Sequence, residues 1–349
     1  MKKLLNTLYI TTLDAYLSLD GETVMVQKEG ETIGRVPLHN LENIVTFGYT
    51  GASPALMGAC ADRNIGLCFM TRHGRFLARV VGMSKGNVVL RKMQYAISEE
   101  EKACFTIARN CIFGKIYNSK WILERAARDY PMRLDVDKLK GASEQLSRYL
   151  NIIRGKEEAI PCEDLEQLRG FEGKSATVYF SVVDDLILQQ KDAFFFKDRN
   201  KRPPLDNVNA LLSFFYTLLS HDVASALEAV GFDAYIGFLH RDRPGRVSLA
   251  LDMMEELRSV LVDRFVISLI NKKQVTDTDF MKKENGAILL TDEARKKALN
   301  AWQSRKQEMI THPFLSEKIP WGLVPYVQAM LLARYIRGDL EEYPPFLWK

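Results

Sequence analysis

Glu172, His240 and Glu255 are the side chains in this sequence best suited to chemistry. His240 closes the loop Gly237-Phe238-Leu239-His240. The polar turn Arg241-Asp242-Arg243-Pro244-Gly245-Arg246 then leads into a helical stretch bearing Asp252, Glu255 and Glu256. Asp252 lies three and four positions before the two glutamates, so one helical face presents paired carboxylates. Leu249, Leu251, Met253, Met254 and Leu257 surround them, which predicts a largely buried helix. Buried carboxylates need a cationic partner, either a metal ion or an arginine. Glu172, in Arg169-Gly170-Phe171-Glu172-Gly173, offers a further acid from a separate helix. Mixed nitrogen and oxygen donors suit Mg2+ or Mn2+, and the histidine favours Mn2+. Such an ion polarises a phosphoryl oxygen and activates a water or hydroxyl for in-line attack. From spacing alone, a surface histidine and solvated helical glutamates are the commoner roles.

The basic residues near these acids are Arg199, Lys201, Arg202, Arg241, Arg243, Arg246 and Arg258. Each by itself reads as an ordinary solvated charge. As a group around His240 and the Pro203-Pro204 turn, they fit contacts to a phosphate backbone. Lys115 and Asn118 could also face the site, although helix-surface positions are the simpler reading. Tyr179, seven positions after Glu172, reads as core.

These residues must be positioned by a chain of 349 residues, long enough for two domains. Residues 1–92 read as a β-rich domain and 93–349 as an α-helical one, an α+β architecture. Asp20-Gly21 between Tyr16–Leu19 and Thr23–Val26 is a hairpin signal. Strand-like runs follow at 31–36, 43–47, 66–70 and 76–81. Ser53-Pro54 opens a short helix. His39 and His73 sit in turn-like contexts. Ser98-Glu99-Glu100-Glu101 looks like a capping box opening the first long helix, whose core face is Cys104, Ile107, Ala108, Cys111 and Ile112. Asp206 caps an apolar stripe of Val208, Leu211, Leu212, Phe215 and Leu219. Ser248 is expected to cap the helix with Asp252, Thr291 to open another, and Tyr343-Pro344-Pro345-Phe346 to end the last.

Composition narrows the function without naming it. Net charge is +4, so any nucleic-acid surface must be local. Five cysteines without a Cys-x-x-Cys pair disfavour a disulfide framework or structural zinc and fit a reducing cytoplasm. Polar residues interrupt the apolar start after Leu5, and no run reaches the roughly 18 apolar residues that a bilayer requires. Phosphate-loop, dinucleotide-binding and serine-elbow motifs are missing.

Three motifs together resemble the family of the CRISPR-associated adaptation integrase and endonuclease, "Cas one". They are Arg169-Gly170-Phe171-Glu172-Gly173; Arg202-Pro203-Pro204 with Asn209-Ala210-Leu211-Leu212-Ser213; and Gly237-Phe238-Leu239-His240 with Ser248-Leu249-Ala250-Leu251-Asp252 and Glu255. The segments Pro37-Leu38-His39-Asn40-Leu41 and Gly48-Tyr49-Thr50-Gly51-Ala52-Ser53-Pro54 look most like the subtype I-C branch. The resemblance implies a β-domain for dimerisation and a helical catalytic domain. It places the metal ligands at Glu172, His240 and Glu255, with Asp252 as a nearby acid that could replace Glu255. It implies a homodimer, two of which flank a dimer of the companion "Cas two" in a heterohexamer. An iron–sulfur processing nuclease, common beside that branch, is a candidate further partner. The implied reaction is transesterification: the 3′-hydroxyl of a captured DNA duplex attacks a phosphodiester at the CRISPR repeat boundary, assisted by Mg2+ or Mn2+. Two alternatives are a nuclease or resolvase of branched DNA without integration, and a non-catalytic nucleic-acid-binding scaffold.

Overall fold

The structure, a computed structural model, describes residues 6–63, 65–72, 76–82, 88–156 and 162–349. His73 and the first five residues lie outside the described residues. The chain divides into two compact units, Met1–Lys85 with Leu289–Glu308, and Gly86–Ile288 with Met309–Lys349.

The first unit is strand-rich. Its strands are β1 (Asn6–Ile10), β2 (Tyr16–Asp20), β3 (Thr23–Lys28), β4 (Glu31–Pro37), β5 (Leu41–Phe47), β6 (Gly51–Ala52), β7 (Gly66–Met70) and β8 (Phe76–Val80). They form two four-stranded sheets, ordered β1-β5-β7-β8 and β4-β3-β2-β6. Asp20 pairs with Thr23 across the β2–β3 hairpin, and Gly21 takes the left-handed φ of 58° that the turn demands. Ser53 caps helix α1 (Pro54–Arg63) by accepting the Leu56 N–H at 3.2 Å. Leu17, Val24, Leu38, Ile44, Leu56 and Leu67 are fully buried between these elements. The sequence boundary at 92/93 missed the return of a later segment to this unit. Helix Asp292–Gln307, capped by Thr291, carries Asp292, which takes ion pairs from both Arg72 and Arg295. Such long-range pairing leaves no local signature.

The second unit is helical. It contains α2 (Val88–Ser98), α3 (Glu101–Asp129), α4 (Val136–Ile153), α5 (Leu165–Phe180), α6 (Asn207–Val230), α7 (Ser248–Leu257) and α8 (Arg264–Asn271). After α9, the Asp292–Gln307 helix of the first unit, comes α10 (Val324–Ile336). Asp164 and Asp206 cap α5 and α6 through the N–H groups of Gln167 and Asn209. Cys104, Ile107, Ala108, Cys111 and Ile112 are buried on α3 as expected. By length and composition α6 could cross a membrane, but 67% of its apolar window is buried inside the protein, as in a core helix.

Three expected helix ends are displaced. Ser98 ends α2 instead of opening α3, and its hydroxyl donates to the Tyr95 carbonyl. Ser248 is the first residue of α7 and caps nothing. The Ala234 carbonyl accepts the Leu249 and Ala250 N–H groups at 3.1 and 3.4 Å, leaving a side-chain cap little to do. The Tyr343-Pro-Pro-Phe tail does not end α10, which stops at Ile336 just before Gly338, at φ 81°.

Candidate metal centre

Three elements of the helical unit meet at one ammonium group. Lys115 on α3 forms ion pairs with Glu172 on α5 and, at 2.7 Å, with Oε2 of Glu255 on α7. The other Glu255 oxygen meets Arg258 at 2.9 Å. Arg258 opens the π-helical stretch Arg258–Asp263 that joins α7 to α8. Such widened turns often accompany functional sites. The surface-helix reading of Lys115 is therefore overturned. Burial works against a charged Glu255, but Arg258, Lys115 and His240 together hold its carboxyl below the usual range. Glu255 Oε2 is buried and, apart from this ion pair, has no hydrogen-bond partner among the described residues. Glu172 keeps 30% of its side chain exposed, so the cluster has an open side.

His240 is fixed by Asp252. Asp252 Oδ1 accepts the His240 N–H at 3.0 Å and faces His240 Nδ1 at 2.6 Å. Its Oδ2 accepts the N–H groups of Phe238 and Leu239 at 2.6 and 2.9 Å. Both oxygens are committed to the loop, and Asp252 is 1% exposed. The carboxylate thereby sets the ring orientation and leaves Nε2 as the available nitrogen. Gly237 permits this approach: a Cβ there would meet Asp252 Oδ2 and Ser248 Cβ, each at 2.8 Å. Arg169 braces the same loop, donating Nε to the Leu239 carbonyl at 3.1 Å. Its role was not read from the sequence, although it lies three residues before Glu172.

The geometry separates the two acids. With His240 and Glu255 as ligands, Asp252→Asn would weaken Mn2+ affinity by roughly 10–100-fold, the usual effect of disturbing a ligand's support. Glu255→Gln is expected to weaken it further. Calorimetric titration of both variants checks this; equal losses would contradict the division of roles.

Among the described residues, no three His, Cys, Asp or Glu side chains already form a ligand cluster. The donor chemistry nevertheless fits a hard divalent ion. Two carboxylates already share one cation, one buried carboxylate oxygen has no partner besides that cation among the described residues, and an oriented imidazole lies near enough to bear on Glu255.

The basic residues divide. Arg199 is spent on structure, donating to Asn209 Oδ1 at 2.6 Å and Ser213 Oγ at 3.1 Å. Arg258 neutralises Glu255. Arg241 pairs with Glu166 at 2.7 Å on the surface. Lys201, Arg202 and Arg243 are exposed and Arg246 is half-buried. Lys115, Arg199, Lys201 and Arg258 also line a cavity of about 90 Å³ with Tyr179, Tyr216, Ser259 and Asp263.

Asp263 accepts a hydrogen bond from Tyr216, and burial pushes its carboxyl up to about 6 against the pull of Tyr216, Tyr179, Arg258 and Arg199. The buried Tyr179 hydroxyl stands beside it without well-formed hydrogen-bond geometry. A carboxyl with a raised folded pKa holds its proton in the folded chain after the unfolded chain has lost it. Stability therefore falls as pH rises between about 4 and 6, by on the order of 3 kcal/mol. Asp263→Asn is expected to remove that component of the slope. Urea unfolding of both proteins at pH 4, 5 and 7 checks it, and parallel wild-type and variant profiles would contradict it.

Glu256, expected to share the carboxylate face, points elsewhere. Tyr343 donates to its Oε1, the Phe346 N–H to its Oε2 at 2.5 Å, and Gln328 Nε2 to both at 3.3 Å. Burial raises its carboxyl to about 7 against these donors. Asn118, fully buried, joins the Glu256 and Phe346 carbonyls, each at 2.7 Å, and accepts the Trp348 N–H at 2.9 Å. The tail thus clamps α7 against α3. Gly114 keeps them close: a Cβ there would meet Glu256 Cβ at 3.0 Å and Pro345 Cβ at 3.2 Å.

Known proteins share this arrangement of chain. The family model "CRISPR associated protein Cas1" matches residues 8–304. The chain is 51% identical, over the full length of both proteins, to "CRISPR-associated endonuclease Cas1 2" of Rhodospirillum rubrum. Among solved structures, a casposase bound to its integration product is similar with a TM-score of 0.81 and 22% identity, over 98% of this chain and 93% of the casposase. A chain of a Cas6-RT-Cas1–Cas2 complex has the same TM-score and identity; all of the present chain matches 36% of that longer one. These distant structures establish a shared fold, strand-rich first and helical after. The extent of the family match and the full-length identity establish more: this chain belongs to the Cas1 family of CRISPR-associated proteins.

Proposed function

We propose that this chain is a metal-dependent DNA endonuclease and integrase of CRISPR adaptation, with Glu172, His240 and Glu255 as the metal ligands. The observation that carries the reading is the shared cation: Lys115 held between Glu172 and Glu255 beside an oriented His240. Metal binding would take Lys115 off the two carboxylates. A bound Mg2+ or Mn2+ supplies Lewis acidity toward a phosphoryl oxygen and an acidified hydroxyl or water. The protein side chains do the rest. Asp252 holds the imidazole in one orientation. Lys115 and Arg258 offset negative charge at the reacting phosphate. Lys201, Arg202, Arg243 and Arg246 grip the flanking backbone. In joining, the incoming 3′ oxygen forms a bond to phosphorus, and the target strand's own 3′ oxygen leaves. With water as the nucleophile the same site cuts.

The names of the relatives support this reading, endonuclease in one and casposase integration in another. The Cas1–Cas2 assembly of a structural neighbour supports Cas2 as a partner, and a Cas2 dimer between two homodimers of this chain is the arrangement proposed. Exposed Tyr16, Ile33, Phe76 and Leu77 support the strand-rich unit as the dimerisation domain. The motifs at 37–41 and 48–54 favour the subtype I-C branch, and five free cysteines favour a reducing cytoplasm. The test incubates the protein and its Cas2 with a 3′-hydroxyl duplex, a repeat-bearing plasmid and Mn2+ or Mg2+. Joined product is expected. Cutting without joining would leave a nuclease, and neither activity would leave a scaffold.

A further inference from the structure

A second cavity in the helical unit, of about 420 Å³, shares no lining residue with the one beside the metal centre. Its volume falls in the range of small-molecule sites. Ile122 and Ala126 of α3, Leu186 and Leu188 of the loop after α5, and Ile267 of α8 give it apolar walls. Arg125, Arg133, Arg264 and Lys272 line it too, against a single acid, Asp129. Asp129 already pairs with Arg128 at 2.9 Å.

Its walls are preformed. Asn271 accepts the Leu188 N–H at 2.7 Å and donates to the Leu186 carbonyl at 2.9 Å, which locks the loop onto α8. The Trp348 ring is flanked by the guanidinium groups of Arg125 and Arg264, at 3.9 and 4.5 Å from its centroid. Arg125 donates one Nη to the Lys349 carbonyl, but its buried Nε has no partner among the described residues. Burial, and then the Arg128 charge, pull its pKa below the usual value. A nearby anion would relieve both costs.

An apolar slot with a cationic, aromatic-braced rim matches a ligand with a flat apolar body and a negative end. We propose that this cavity binds a nucleoside phosphate, the base lying against Ile267, Leu188 and Ala126 and the phosphate meeting Arg133 and Lys272. Apolar walls for a ring and charged side chains for a phosphate are the recurring means by which small-ligand sites hold such molecules. The source is either a free nucleotide or the unpaired end of a DNA strand. The site stands apart from the metal centre and works without it.

The experiment uses the full chain in EDTA, so that the metal centre plays no part. A fluorescent N-methylanthraniloyl-dAMP is titrated by anisotropy, with dAMP, inorganic phosphate and a 5′-phosphorylated single-stranded oligonucleotide as competitors. Saturable binding is expected, weakened at least tenfold by Arg133→Glu and by Lys272→Glu. Both positions are exposed, so the variants keep the wild-type circular dichroism. Displacement by dAMP and oligonucleotide identifies a strand-end site, and displacement by dAMP alone a free-nucleotide site. If phosphate displaces the probe as well as dAMP does, or neither charge reversal weakens binding, the proposal is overturned.

Discussion

Glu172→Ala and His240→Ala are each expected to lower metal-dependent joining and cutting of DNA by on the order of 10³-fold or more, with little loss of fold. The two sites suit such a test because neither side chain holds the structure together. Glu172 keeps 30% of its side chain exposed, and its removal leaves Lys115 paired with Glu255. Removal of the His240 ring leaves Asp252 accepting three backbone N–H groups. Glu255→Ala is a poorer probe, because it removes the ion-pair partner of the half-buried Arg258 and one of the two partners of Lys115. Rates are measured under single-turnover conditions at saturating Mn2+, with circular dichroism as the control. Wild-type rates in both variants would show that the ligands lie elsewhere.

The second large effect is on stability and falls on Glu256. Glu256→Ala removes the acceptor of Tyr343, Gln328 and the Phe346 N–H in a fully buried setting. Stranding buried donors, together with the cavity left behind, is expected to cost about 3–5 kcal/mol. Tyr343→Phe removes one of these bonds and is expected to cost about 1 kcal/mol. Because α7 also carries Glu255, the alanine variant should lose Mn2+ affinity although residue 256 touches no metal. Thermal unfolding and metal titration of both variants check this. A Glu256→Ala protein with wild-type melting temperature would mean that the tail does not clamp α7.

Much of the fold follows from local rules that the sequence states openly. The Asp20-Gly21 turn, the Ser53-Pro54 helix start and the caps at Asp206 and Thr291 all stand where their side chains predict. Local rules failed where a distant backbone group did the work. Ser248 looks like a cap, yet the Ala234 carbonyl takes that role. Helix α9 belongs to the strand-rich unit through Asp292 and Arg72, partners over two hundred positions apart.

The candidate site was legible in its acids and histidine but not in its arrangement. Helical spacing placed Asp252, Glu255 and Glu256 near one another without ranking them. The N–H groups bonded to Asp252, and the tail wrapped around Glu256, distinguish the three roles. Lys115 was harder still, because a lysine on a long helix reads as solvated surface. Only the packing of α3 against α5 and α7 turns it inward.

The most direct test is a crystal structure of the chain soaked in Mn2+, with the ion located by its anomalous scattering. One strong peak is expected about 2.2 Å from a Glu172 oxygen, His240 Nε2 and a Glu255 oxygen, with Lys115 moved off both carboxylates. An active, Mn2+-saturated protein in which Lys115 still bridges Glu172 and Glu255, with the ion bound elsewhere, would contradict it.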